Sequence, residues 1–265
     1  MADGVKQRRA TSAQKPARHR VIHLYGLTEA PGPRPESFRK LTGVDGVAAV
    51  EGIRCGQFVC WVSRVTAEEF AENLEQNMQD LDWLAAATTR HQKVLSAIAD
   101  SADILPARFG IEFLHEKSLG EHVESRETVL RSDLDRIRGK EEWGVKVFAL
   151  PSAGRAMNRK KIRSGKDYLQ AKSALVNRSS NRAGPEFDDF AKSLQSVASE
   201  VAEGGKLAAA RRDLQFHKTV LVRRSDRKKL ENVVRAYAKK WKDKNRIECT
   251  GPWPAFSFVT HSDSF

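Results

Sequence analysis

Cysteine is scarce. Three residues in 265 cannot all pair, and none has a second Cys or His at zinc-ligand spacing. A disulfide-stapled scaffold and a zinc finger are therefore excluded, and Cys55, Cys60 and Cys249 are expected to be reduced packing residues. Cys55 and Cys60 fall in or beside one strand an odd number of positions apart, so a regular strand would turn them to opposite sides. Long apolar runs are also missing. No stretch nears the roughly 20 residues that cross a bilayer, and the start lacks the apolar segment of a signal peptide; a cytoplasmic protein is expected. Signatures of chemistry are missing as well. There is no Walker phosphate loop, no Gly-x-Gly-x-x-Gly after a strand, no Gly-x-Ser-x-Gly elbow and no His-Glu-x-x-His. His115 and His122 lack a third ligand, and no nucleophile pairs with a base. Hence no catalytic, cofactor or metal residue is assigned, and an enzyme is not expected.

Charge is abundant but uneven. Residues 1–20 carry six Lys/Arg and one acid; residues 21–150 carry 15 Lys/Arg and 21 acids; residues 151–265 carry 25 and 12. An acidic first half joined to a basic second half suggests two domains, at 20–140 and 141–265, behind a disordered basic tail at 1–19. The basic half suggests nucleic acid, an acidic partner, an acidic membrane surface or a solvated helix face. The stretch 155–182 holds nine Lys/Arg and one Asp but only Tyr168 as an aromatic. Without stacking rings, a protein contact or a solvated face is preferred to nucleic acid.

Periodicity supplies the elements. Strands are expected over 21–27, 47–53 and 57–65, with a stiff proline-rich loop at 31–35 and a short helix at 36–41. Thr66 and Glu69 form a capping-box pattern. Met78, Leu81, Leu84, Thr88, His91, Leu95 and Ile98 share one helical face. A short edge strand over 104–109 follows, then a helix on Leu119, Val123, Leu130, Leu134 and Ile137, stopped by Gly139. The second half reads as strand 143–150, a basic helix, a helix on Phe187, Phe190, Leu194, Val197 and Val201, strand 214–223, a helix capped by Ser225, and strand 247–259. This is an α+β fold of two domains, each a small, mainly antiparallel sheet with helices on one face, ferredoxin-like in kind.

Certain short motifs stand out. Pro252-Trp253-Pro254 leads to Phe256 and Phe258, spaced to share one face of an edge strand; Trp253 either seals a core or meets a partner. Arg108 sits between Ala107 and Phe109, where an unpaired guanidinium would be costly; an internal ion pair, or hydrogen bonds to loop carbonyls, is preferred to a partner's carboxylate. Gly144-Val145-Lys146-Val147, Gly165-Lys166-Asp167-Tyr168-Leu169 and the opening Val21-Ile22-His23-Leu24-Tyr25-Gly26 complete the set. In this order the motifs resemble the gas vesicle protein F/L family (GvpF/GvpL) from about Val21 to Val259. The chain departs from the family pattern at Ala107, at Ala255-Phe256 and at Thr219-Val220.

That resemblance implies an accessory protein of gas vesicle formation that binds the hydrophobic shell protein GvpA or other accessory proteins, in the cytoplasm or on the vesicle. It needs no cofactor. Arg108, Phe109, Lys146, Tyr168, Trp253, Phe256 and Phe258 become candidates for partner contact or for structure. A nucleic-acid-binding protein and a cryptic enzyme are the alternatives.

Overall fold

The computed structural model describes residues 19–150, 185–204 and 213–260. The basic stretch 155–182 with Tyr168, and the tail up to residue 18, lie outside them. The first sheet is built on β1 (Arg20–Glu29), buried continuously from Val21 to Thr28. β2 (Glu51–Cys55) and β3 (Phe58–Thr66) form a hairpin against one side of β1, and β4 (Ile104–Pro106) lines the other, giving the order β2-β3-β1-β4 with every neighbour antiparallel. β5 (Glu112–Phe113) also pairs with β1. A bulge between Leu24 and Gly26 shifts the register. It changes the alternation, so that Ile22, Leu24 and Leu27 join one core while Val21 and Tyr25 join the other. Glycine is required at position 26, because a Cβ there would lie 2.3 Å from the Leu105 carbonyl oxygen.

Both faces of this sheet are covered. On one lie α1 (Leu74–Asn77) and α2 (Leu81–Ala99), which buries Ala87, His91, Val94, Leu95 and Ile98. The Asp80 carboxylate caps α2 by accepting from the backbone N–H of Asp82 and Trp83. The anticipated apolar stripe thus begins outside the core: Met78 and Leu81 are exposed. The expected capping box is absent. Thr66 ends β3, and the Glu69 carboxylate instead accepts from the Trp83 indole at 2.8 Å.

On the other face lie α3 (Glu116–Ser125) and α4 (Glu127–Ile137). One helix was expected here, but Arg126 leaves the helical region at φ −118° and divides it. Leu119 and Val123 precede that break, Leu130, Leu134 and Ile137 follow it, and all five reach the same core. Gly139 ends α4 with φ +67°, the left-handed conformation that favours glycine, as its position after the apolar stripe predicts.

β6 (Lys140–Ala149) opens the second sheet, with β7 (Glu200–Glu203), β8 (Leu214–Arg223) and β9 (Asn245–Trp253) in the order β7-β8-β6-β9. Each sheet therefore has its first strand inside, a hairpin on one side and the last strand on the other, the ferredoxin-like order. α5 (Pro185–Val197) and α6 (Arg227–Trp241) pack on one face around Phe187, Phe190, Leu194, Leu230 and Trp241. Val201, assigned from periodicity to the preceding helix, lies in β7. Ser225 falls in a 3₁₀ turn before α6 and makes no cap bond. Leu221, on the opposite face, joins the first sheet's core beside α4.

The carboxy-terminal segment ties the two sheets together. After β9 the chain forms a 3₁₀ turn at Phe256–Phe258, not the extended strand that the spacing of the two rings suggested. The rings separate: Phe258 is buried in the core beneath α4, and Phe256 packs against the core beneath α2. Two buried carboxylates hold this segment. Glu142 accepts from Ser257 N–H at 2.7 Å and its hydroxyl at 2.9 Å, and Asp133 accepts from Thr260 N–H and hydroxyl at the same two distances. Hydrogen bonds to a charged group contribute about 1.5–3 kcal/mol each. Asp133→Ala is therefore expected to lower the melting midpoint by roughly 5–10 °C and to raise protease cleavage within 254–260. A midpoint within ~1 °C of the parent, read by circular dichroism, would show that the clamp adds nothing.

Candidate partner-binding surface

The loop 107–112 joins β4 to β5 across a buried polar chain. His23, on the middle strand β1, is fully buried and faces α2, where His91 is also buried. Glu112 stands opposite His23 in the β1–β5 register. Its Oε1 lies 2.6 Å from His23 Nδ1, His23 Nε2 lies 2.9 Å from His91 Nδ1, and His91 Nε2 lies 3.1 Å from the Ala107 carbonyl oxygen.

The proton positions follow from the last contact. A carbonyl only accepts, so His91 Nε2 carries a proton and neutral His91 accepts at Nδ1. His23 then donates from Nε2, and a neutral His23 accepts at Nδ1, which requires a protonated Glu112. Burial favours this neutral arrangement. It pushes the Glu112 carboxyl up to about 9 and holds both imidazoles down to about 3.

This chain anchors the loop from within. The Phe109 ring packs 5.8 Å from both His23 and His91 and 6.0 Å from Trp83. Arg108 points the other way. It is exposed, and no ion pair engages it among the described residues. The internal pair expected for it does not form, because the buried polar positions of this loop are filled by His91 and Glu112. Nearby, Leu74 would touch a Cβ at Gly110 at 3.8 Å, and one turn later Met78 is 43 % exposed. Leu81 is 78 % exposed and Leu114, four residues beyond Gly110, is 66 % exposed. The loop thus presents a cation with no ion pair among the described residues, and Met78, Leu81 and Leu114 are apolar side chains that the core does not use.

The remaining candidates occupy other places. Trp253 is 42 % exposed, so it neither seals a core nor anchors β9. It borders a cleft of about 210 Å³ between the sheets, lined also by Ala99, Ile104, Ile137, Arg224 and Pro252. Pairs of charges close that cleft: Arg224 with Asp103 at 2.8 Å and Arg227 with Glu141 at 2.6 Å. Lys146 is half-buried on β6 opposite His217, whose imidazole is held below its ordinary value by burial and by that ammonium. Phe256 and Phe258 are structural in the positions given above. The structure therefore brings Phe109 and Arg108 together with the histidines and Glu112, and leaves Lys146 and Trp253 apart from them. The histidine–glutamate chain was missed in the sequence, where His23 and His91 are 68 residues apart; their only signal was a histidine within an apolar face on each element.

The fold and these motifs agree with what comparison shows. The sequence profile described as "Gas vesicle synthesis protein GvpL/GvpF" matches residues 21–260. The chain belongs to the GvpL/GvpF family. Gas vesicle protein L of Streptomyces sp. (strain CB03234) is 28 % identical over 221 residues, spanning 78 % of this chain and 82 % of that protein. The crystal structure of GvpF from Anabaena sp. PCC7120 superposes with a TM-score of 0.68 at 20 % identity, over 92 % of this chain and 97 % of that one. GvpF from Microcystis aeruginosa gives 0.64 at 18 %, over 91 % and 99 %. These two share the α+β fold. A gas vesicle role goes with membership of the GvpL/GvpF family, and among the described residues no helix is long and apolar enough to cross a membrane.

Two measurements follow. Native Glu112 keeps its proton up to about 9, while an unfolded carboxyl loses it near the ordinary value, so stability falls as pH rises between these limits. The histidines act oppositely: unfolded imidazoles charge below about 6.5 whereas the native ones stay neutral to about 3, so stability also falls as pH drops through that window. Glu112→Gln keeps a donor toward His23 Nδ1, and should flatten the decline of the melting midpoint between pH 6.5 and 9 while leaving the acid limb intact. An unchanged alkaline slope would mean that Glu112 is ionised in the native protein. Trp253→Ala, removing a half-exposed ring, should move the melting midpoint by no more than ~3 °C; a fall of ~10 °C or more would restore an anchoring role.

Proposed function

We propose that this chain is an accessory protein of gas vesicle assembly that binds the hydrophobic shell protein GvpA, other accessory proteins or both during nucleation or growth of the vesicle, in the cytoplasm or as a minor component of the vesicle. Family membership supports the setting. The observations that support the binding role are the exposed Arg108 on loop 107–112 and the exposed apolar side chains Met78, Leu81 and Leu114, with Leu74, one turn before Met78, packed near Gly110 of that loop. A shell subunit with a large apolar face aggregates unless that face is covered before it is incorporated. A few apolar residues ringed by charge suit a contact that must later release. Arg108 supplies direction to it, through a bidentate hydrogen bond to a partner's carboxylate. The reading involves no turnover, only binding.

The basic second half favours nucleic acid less. α6 exposes Lys228, Lys229, Arg235, Lys239 and Lys240, but its ring Tyr237 is half-buried between Phe190 and Trp241, so no aromatic on it stands free to stack on bases.

Leu81→Asp and Arg108→Glu test the proposal. Leu81 is the first residue of α2, where an acidic side chain is compatible with the helix dipole, and both side chains are exposed, so folding is expected to survive. Each variant should weaken capture of GvpA at least ~10-fold, about 1.4 kcal/mol, with the melting midpoint within ~2 °C of the parent. Undiminished capture by both variants would remove this surface from the binding role. Normal vesicles in cells lacking the gene and any paralogue would remove the assembly role itself.

A further inference from the structure

The cysteines were expected to be inert and to point apart, but Cys55 and Cys60 do not. Cys55 pairs with Phe58 and Ile53 with Cys60 across the β2–β3 hairpin. The odd spacing spans a two-residue turn, so the two thiols share a face on diagonal positions of neighbouring strands. Both enter the core beneath α3. The two thiols lie close enough to shift each other's titration. Cys60 is wholly buried, whereas Cys55 lines a cavity of about 360 Å³ bordered by Arg54, Gln57, Val123, Glu124 and Glu127. Both thiols are buried, and Cys55, 7 % exposed, is the one that a reagent entering this cavity reaches first.

We propose that Cys55 and Cys60 are a peroxide-oxidisable dithiol, with Cys55 as the attacking and Cys60 as the resolving sulfur. The Cys55 thiolate attacks one oxygen of a hydroperoxide and breaks the O–O bond. This forms a sulfenic acid, and the other oxygen leaves as water, or as an alcohol, after taking a proton. Cys60 then attacks the Cys55 sulfur, the S–O bond breaks, and the hydroxyl leaves as water with the Cys60 proton. Two thiols lose two electrons to the peroxide, and one S–S bond results. The cavity at Cys55 and the complete burial of Cys60 distribute the two roles, and the neighbouring Cys60 thiol holds the Cys55 thiol below its ordinary value while Cys55 and burial push Cys60 up. Diagonal strand positions lie about 7–8 Å apart, beyond the usual Cα separation of a disulfide. Closure needs a small shear of the hairpin, at its end beside the turn where Gly56 adopts φ +57°. Cys249, on the other sheet, is pushed up to about 11 by burial and serves as the internal control.

The test treats the reduced full-length chain with hydrogen peroxide and reads intact mass, free thiols and peptides. The expected result is a loss of ~2 Da, a fall from three titratable thiols to one, and a linked Cys55–Cys60 peptide reversed by dithiothreitol. Three persisting thiols, or a sulfinic acid on Cys55 without the linked peptide, would overturn the proposal. In Cys60→Ala the sulfenic acid has no resolving partner, so dimedone labelling of Cys55 should rise at least ~5-fold over the parent. Equal labelling would overturn the role given to Cys60. Should that variant fail to fold, the peptide map of the parent still decides.

Discussion

Covering β1 on both faces is the constraint from which the rest of the first half follows. A strand buried from Val21 to Thr28 has no solvent for its polar side chains, so each needs an internal partner. Thr28 accepts from the Trp61 indole, Tyr25 bonds Ser63, and His23 is held between Glu112 and His91. The last of these extends furthest, because Glu112 and the Ala107 carbonyl are the two ends of one loop. Satisfying a buried imidazole thereby fixes 107–112, places Phe109 inward, and leaves Arg108 to the surface. A rigid scaffold beneath a loop is the arrangement that keeps an exposed side chain in place without ordering cost.

The second face imposes a requirement of its own. α3 and α4 cover most of it, and the carboxy-terminal turn completes it with Ala255 and Phe258. A segment drawn from the far end of the chain must enter a core where its backbone N–H groups lose water. Asp133 and Glu142 answer that loss, one from each sheet's territory, each taking an N–H and a hydroxyl of a single residue. The two sheets share one strand order yet differ in this respect. The second carries α5 and α6 on one face and meets the first unit's core on the other.

Much of the fold was legible because it rests on local patterns. The strand over 21–27, the helix faces on His91–Ile98 and Phe187–Leu194, and the stop at Gly139 follow from spacing and backbone preference alone. What failed was whatever a distant segment decides. The apolar face from Met78 to Ile98 is one stripe in sequence, but the core ends near Ala87, and periodicity does not record where a sheet stops. Phe256 and Phe258 have strand spacing, yet two cores on opposite sides of the first sheet each claim one ring, and a helical turn separates them. Cys55 and Cys60 look opposed until a turn places them on different strands. Arg108 looked costly to leave unpaired on the assumption that its neighbours' burial extended to it.

The same reasoning links stability to the candidate surface. Arg108, Met78 and Leu81 contribute little to the core, and a protein selected only for folding gains nothing from grouping them. Isolated exposed apolar residues need no explanation. Here Leu81 opens the helix whose face becomes core from Ala87 onward, and Met78 lies just before that helix. Along the buried polar chain beneath loop 107–112, His23, His91 and one Glu112 oxygen are bonded in series, while Glu112 Oε2 is buried without a partner among the described residues, a cost the chain carries to hold the loop. The physical consequence is a surface whose shape is set from inside, independent of what binds it, with its chemistry left open toward solvent at Arg108.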